Sequence, residues 1–143
     1  MKLSTKGRYG MRTMVDLALQ YSKGPVRASS ICAREEISPA YLEQILTTLR
    51  NAGLVRSSAG PRGGFTLTRN PSCIKTLEVF QAMEGQSTLV ECINSPAACS
   101  RSSSCLSRHL WCSMKQAMER VLINTSLQDL LDNKFEQDTI EPK

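Results

Sequence analysis

Four cysteines, Cys92, Cys99, Cys105 and Cys112, fall within 21 of the chain's 143 residues. The first three are spaced C-x6-C-x5-C in a stretch of small polar residues with no sustained period. Soft thiolates at wide, irregular spacing suit an iron–sulfur cluster, whose core asks its ligands to surround it. Structural zinc sites more often carry C-x2-C knuckles, and none is present. Zinc, and a metal-free redox dithiol of Cys99 and Cys105, stay open as readings of the same spacing. A cluster wants a fourth donor. His109, the only histidine, follows Cys105 by four residues. On a helix beginning at Cys105 the two share a face. Cys112, at i+7, reads instead as a buried residue beside Trp111.

A second stretch raises a different chemistry. "GPRGGF", residues 60–65, holds three of the chain's eight glycines. Glycine and proline together mark a tight turn, with Arg62 at its tip. Before it comes "LVRSSA"; after it "GFTLTRN" alternates, Phe65 and Leu67 against Thr66 and Thr68, which predicts a two-stranded hairpin. Upstream, "SPAYLEQILTTLRNAGLV" reads as a helix over 39–52. Ser38 is a natural N-cap, Pro39 suits the first helical position, and Gly53 suits the end. Leu42, Ile45, Leu46 and Leu49 form its apolar stripe, while Ala40, Glu43, Gln44, Thr47, Thr48 and Arg50 leave a polar face of modest size. Helices are also predicted over 5–22, capped by Ser4 with Gly10, Met14, Leu17, Ala18 and Tyr21 inward, and over 28–35, with Ile31 and Cys32 inward. Three helices followed by a hairpin is the order of a winged helix-turn-helix. In it residues 39–52 form the recognition helix and "GPRGGF" the wing tip, where Arg62 can reach phosphate or a minor groove.

Charge agrees with that order. Residues 1–72 hold 11 Lys/Arg against 4 Asp/Glu, and residues 73–143 hold 7 against 9. One basic half suggests a polyanionic partner. No apolar run approaches the roughly 20 residues of a membrane span, and the first residues lack a signal-peptide core, so no membrane association and a cytoplasmic location are expected. Six cysteines in such a setting argue for metal or redox chemistry rather than structural disulfides. No nucleophile–base set or phosphate-binding motif is present, so an enzyme is not expected.

Beyond the wing, residues 75–84 read as a helix carrying Leu77, Val79, Phe80 and Met83. Helical periodicity resumes near 105, where Leu110, Met114, Ala117, Val121 and Leu122 form a long stripe. So apolar a helix beyond a small domain needs a partner, and the economical one is the same helix of a second subunit. "TSLQDLL" reads as a capped short helix, and the tail from 134 as polar and mobile.

The stretches "MKLSTKGRYG", "SPAYLEQILTTLRNAGLV" and "GPRGGF", with the three-cysteine loop followed by "CLSRHLW", closely resemble the IscR-type family of bacterial transcription regulators, which includes NsrR-like and CymR-like members. The resemblance spans residues 1 to about 132. It implies a mainly α fold: a winged helix-turn-helix DNA-binding domain over 1–72, a connecting helix and linker over 73–91, a cluster-binding loop over 92–105, a dimerisation helix and short helix over 106–132, and a flexible tail over 133–143. It implies a homodimer joined through the long helix. It also implies a 2Fe–2S cluster on Cys92, Cys99, Cys105 and His109, whose state gates binding to double-stranded promoter DNA. The regulator would act mainly as a repressor of iron–sulfur cluster biogenesis genes. A nitric-oxide or thiol-redox responsive regulator on the same fold is the alternative. The DNA-facing set would comprise Lys6 and Arg8 on the first helix; Ser38, Ala40, Tyr41, Glu43, Gln44 and Arg50 around the recognition helix; and Arg56, Gly60, Pro61 and Arg62 on the wing. Three departures stand out. The family's usual histidine, three residues after the third cysteine, is Arg108 here, with His109 one later. The position where NsrR-like members supply an aspartate is Arg8, which places the chain nearer IscR. A recognition-helix serine and a wing arginine of IscR-like members are Ala40 and Ala59 here, leaving more to Glu43, Gln44 and Arg62.

Overall fold

Ser4 starts the first helix as a side-chain cap, its hydroxyl accepting from the Gly7 N–H at 2.9 Å. The computed structural model describes residues 2–85 and 89–134. In it α1 spans Thr5–Leu19, α2 Ala28–Glu35, α3 Pro39–Asn51, α4 Thr76–Glu84, α5 Glu91–Asn94, α6 Leu106–Asn124 and α7 Leu127–Leu131. Strands β1 (Val55–Ser58) and β2 (Gly64–Leu67) pair antiparallel, with Val55 opposite Leu67 and Ser58 opposite Gly64. Short 3-10 turns occupy Tyr21–Lys23, Pro71–Cys73 and Pro96–Ala98.

The core is one cluster. The predicted stripe of α3, Leu42, Ile45, Leu46 and Leu49, is buried in it with Met14, Leu17 and Ala18 of α1 and Ile31 of α2. Burying each such aliphatic side chain contributes about 1.5–3 kcal/mol. The same cluster takes Val55 and Leu67 from the hairpin, Val79 and Met83 from α4, and Leu127 from α7. The chain beyond α6 therefore returns to pack on the first helices.

The end of the first helix differs from expectation by more than a residue. α1 ends at Leu19 rather than residue 22, and Tyr21 is exposed. Gln20 turns out of helical geometry, and the chain tightens into the 3-10 turn before Gly24 at φ 89°. That turn moves Tyr21 off the inward stripe. Residues 86–88 of the expected linker, and the tail from residue 135 onward, lie outside the described residues.

No helix of the described residues is long and apolar enough to cross a membrane.

Candidate nucleic-acid interface and cysteine segment

α2 and α3 meet at a sharp turn made by Glu36 in the left-handed region at φ 53°, with the Ile37 N–H donating to the Cys32 carbonyl at 3.2 Å. Ser38 then caps α3, accepting from the Tyr41 N–H at 3.3 Å. With one face of α3 buried, Ala40, Glu43, Gln44 and Arg50 are left exposed. Tyr41 is half-buried and meets Tyr9 edge-on, ring centroids 5.8 Å apart. Arg12 covers the Tyr9 ring at 5.0 Å and donates to the Glu35 carboxylate and carbonyl at 3.0 and 2.8 Å. Arg34 grips Asp16, only 3 % exposed, through two bonds of 2.8 Å. Helix α3 is thus held by α1 and α2 in a braced unit.

The wing explains its glycines in two ways. Gly60 sits at φ 97°, a conformation that favours glycine. Gly63 and Gly64 are required by crowding instead: a Cβ on Gly63 would lie 2.2 Å from the Ser58 carbonyl oxygen, and one on Gly64 2.4 Å from that of Val26. Val26 is that close because it exchanges two backbone bonds with Phe65, at 2.9 and 2.8 Å. At the tip, Pro61 and Arg62 are exposed, and Gly63 N–H closes the turn on the Gly60 carbonyl at 2.9 Å. Arg56 is exposed on β1, its Nε 3.4 Å from the Thr66 hydroxyl.

At the start of α1, Arg8 is exposed and Lys6 half-buried. Among the described residues, Lys6, Arg8, Arg50, Arg56 and Arg62 pair with no carboxylate. Cations without internal partners are available to an external anion. The end of α4 locks onto this same region. Glu84 Oε1 accepts from the Ser4 N–H at 3.0 Å and the Ser4 hydroxyl at 2.6 Å. Gly7 and Gly10 leave the room that the side chains of Glu84 and Met83 occupy.

The cysteines lie on a segment docked against α6. Cys92 is half-buried on α5, Cys99 is exposed after the third 3-10 turn, and Cys105 is half-buried at the N-cap of α6. All six thiols are free. The Ser107 hydroxyl, 3.2 Å from Cys105 Sγ, holds that thiol below its ordinary value, aided by the Arg108 N–H and the charge of Arg101. Arg108 Nε donates to the Cys92 carbonyl at 3.1 Å, and Lys115 Nζ to Asn94 Oδ1 at 2.9 Å. These contacts put Arg108, Cys112 and Lys115, at i, i+4 and i+7, on the face of α6 that meets α5. His109, one residue round from that face, is exposed. Among the described residues no three His, Cys, Asp or Glu side chains converge into a metal-holding group. The donor chemistry of three thiols, one acidified, suits a soft metal; drawing them together requires the segment to rearrange.

Sequence reasoning missed the contacts that brace these elements. Arg27 donates to a wing-tip carbonyl, that of Pro61, at 2.5 Å, and Glu84 reaches 80 residues back to Ser4. Neither has a spacing signal, because one partner is a backbone carbonyl and the other is remote in the chain.

These elements define a winged-helix regulator. The Rrf2 family, described as iron-dependent transcriptional regulators, matches residues 3–133, and the chain belongs to it. The chain is 38% identical to the HTH-type transcriptional regulator CymR of Bacillus subtilis (strain 168), over 91% of this chain and 89% of that protein. It is 36% identical to the HTH-type transcriptional regulator IscR of Klebsiella pneumoniae (strain 342), over 94% of this chain and 82% of that protein. The solved structure of CymR (YrzC), the global cysteine regulator of B. subtilis, superimposes with a TM-score of 0.78, 36% identity, and coverage of 93% of this chain and 98% of that one. IscR of T. potens gives 0.77 at 34% identity, covering 99% and 94%. The named relatives are regulators, not enzymes, and the identities do not separate the IscR branch from the CymR branch.

Proposed function

We propose that this Rrf2-family regulator binds double-stranded promoter DNA as a homodimer, and that a 2Fe–2S cluster on its cysteine segment biases that binding, mainly to repress iron–sulfur biogenesis genes. The observation that carries the reading is the position of the cysteine segment. Cys92 is tied to α6 by Arg108, and α4 beside it ends on the first turn of α1. The ligands would be Cys92, Cys99 and Cys105, with His109 as the fourth donor. Cys112 is a candidate in its place, because it lies on the face that meets α5. When bound, the cluster supplies strong bonds that tie these thiolates into one arrangement.

The chain's own residues carry the consequence. Moving Cys92 moves the carbonyl that Arg108 holds and the Asn94 amide that Lys115 holds. Both act on α6, which is pinned to the start of α4 by the Thr76 hydroxyl donating to the Leu122 carbonyl at 2.8 Å. The far end of α4 places Glu84 on Ser4, beside Lys6 and Arg8. Two arrangements of the segment would then differ in how α1 and α3 meet DNA. Only that free-energy difference, and not the tightness of cluster binding, shifts the population.

A second reading is favoured by the acidified Cys105 and by the likeness to a cysteine regulator: a metal-free thiol switch. Protein purified without oxygen decides between them. Red-brown protein with a 2Fe–2S Mössbauer signature, lost in Cys99→Ala, supports the cluster; His109→Ala and Cys112→Ser then identify the fourth donor by which of them alters the spectrum. Colourless protein without iron or zinc, whose DNA binding responds to oxidant, establishes the thiol switch instead.

A further inference from the structure

We infer that Arg27 is a positioning residue for DNA binding: it straps the wing tip to the helix-turn-helix so that Arg62 is held toward the duplex. The inference rests on the reading of the wing as a DNA contact.

The wing is short, with four residues in each strand joined by a five-residue connection. A lone two-stranded hairpin is marginal in water. Its base is secured by Leu67 and Val55 in the core and by the two-way backbone bridge of Val26 with Phe65. That bridge stops at Phe65, and residues 59–62 extend beyond it into solvent. There, among the described residues, one hydrogen bond comes from outside the hairpin: Arg27 Nη2 donates to the carbonyl of Pro61, whose peptide leads into Arg62. Arg27 is also the N-cap residue of α2, the first helix of the helix-turn-helix pair. Base bridge and tip strap come from adjacent residues, so wing and recognition unit move together. Without the strap, Arg62 would have to be ordered at the moment of binding, at a cost in affinity. A guanidinium suits the role because its charge strengthens a bond to a carbonyl. Arg62 stands at the tip and Arg27 touches it, so a direct phosphate contact by Arg27 is the competing account.

The test uses the full chain and mixed-sequence double-stranded DNA at a series of salt concentrations, with Arg27→Ala, Arg62→Ala and the double variant. Arg27 is exposed, so its removal leaves the core intact. Loss of one hydrogen bond in each subunit is expected to weaken binding of the dimer by about ten- to hundred-fold. The salt slope should fall by about 1.8, the share of one phosphate contact in each subunit of the dimer, and the double variant should bind no worse than Arg62→Ala. Amide exchange without DNA gives an independent readout: in Arg27→Ala, Gly63 should exchange faster while Phe65 stays protected by Val26. Three outcomes overturn the inference. They are an Arg27→Ala protein with unchanged affinity, a double variant whose losses multiply, and unchanged exchange at Gly63. If Arg62→Ala itself binds normally, the reading of the wing falls, and the inference with it, whereas faster Gly63 exchange would still report the strap.

Discussion

Gly64 shows how one residue can carry a whole contact. Its backbone lies so near Val26 that an added Cβ would approach the Val26 carbonyl carbon at 2.6 Å and nitrogen at 3.0 Å. Backbone atoms on both sides cannot yield as a flexible side chain can. Gly64→Ala should therefore open the Val26–Phe65 bridge and cost about 1–3 kcal/mol, as overpacking does. At Gly60 nothing lies within 4 Å of the added Cβ, and the penalty is the strain of φ 97° alone, about 1–2 kcal/mol. Chemical denaturation measures both, and amide exchange separates them. Val26 should lose protection only in Gly64→Ala; equal protection in the two variants would remove the crowding account. The sequence displays "GPRGGF" as a turn but cannot distinguish these two demands on glycine, because Val26 lies 38 positions earlier in the chain.

Elements begin where the chain can satisfy their first N–H groups, and α4 and α7 do this as a pair. Lys75 and Ser126 form an isolated bridge, with Thr76 N–H donating to the Thr125 carbonyl at 2.8 Å and Leu127 N–H to that of Ile74 at 3.0 Å. The Glu78 carboxylate accepts from the Lys75 N–H at 2.9 Å, and that of Asp129 from the Ser126 N–H at 2.8 Å. Burial works to raise Glu78, but the Arg69 hydrogen bond, the Lys75 N–H and the Arg69 charge outweigh it and hold it below its ordinary value. The backbone N–H and hydroxyl of Ser126 hold Asp129 low. Carboxylates depressed in the folded state stabilise it above their unfolded values and lose that contribution as pH falls through the folded ones. Stability is therefore expected to decline as pH falls below about 4, the usual carboxylate range. In Glu78→Gln/Asp129→Asn it should be lower at neutral pH and flatter on the acid side. Denaturation at a series of pH values checks this, and an unchanged acid limb would show that other carboxylates govern it. Periodicity and capping residues made α2, α3, α4 and α7 legible, since Ser38, Pro39 and Ser126 act locally. The pairing of α4 with α7 was not, because its bonds run between backbones about 50 residues apart.

At the scale of the molecule, α6 is the helix that the described residues leave most open. None of its 19 residues is buried. Leu106 is 85 % exposed, Leu110 56 % and Val121 63 %, and with Met114 they follow helical spacing along one side. The opposite side is accounted for by Arg108 and Lys115 on α5 and by the Leu122 carbonyl on Thr76. Such a stripe, in a chain proposed to bind DNA as a homodimer, fits a two-fold interface in which each α6 covers the other. Leu110→Glu tests this at little cost to the subunit, because the side chain is already exposed there and only a partner would bury the new charge. The variant should sediment as a monomer with an unchanged helical circular dichroism spectrum. Its salt slope on DNA should be about half that of the parent, since each phosphate contact contributes a slope of about 0.9 and a monomer brings half of them. A Leu110→Glu protein that remains a dimer with a full salt slope would mean that the subunits join elsewhere and that the apolar face of α6 serves another partner.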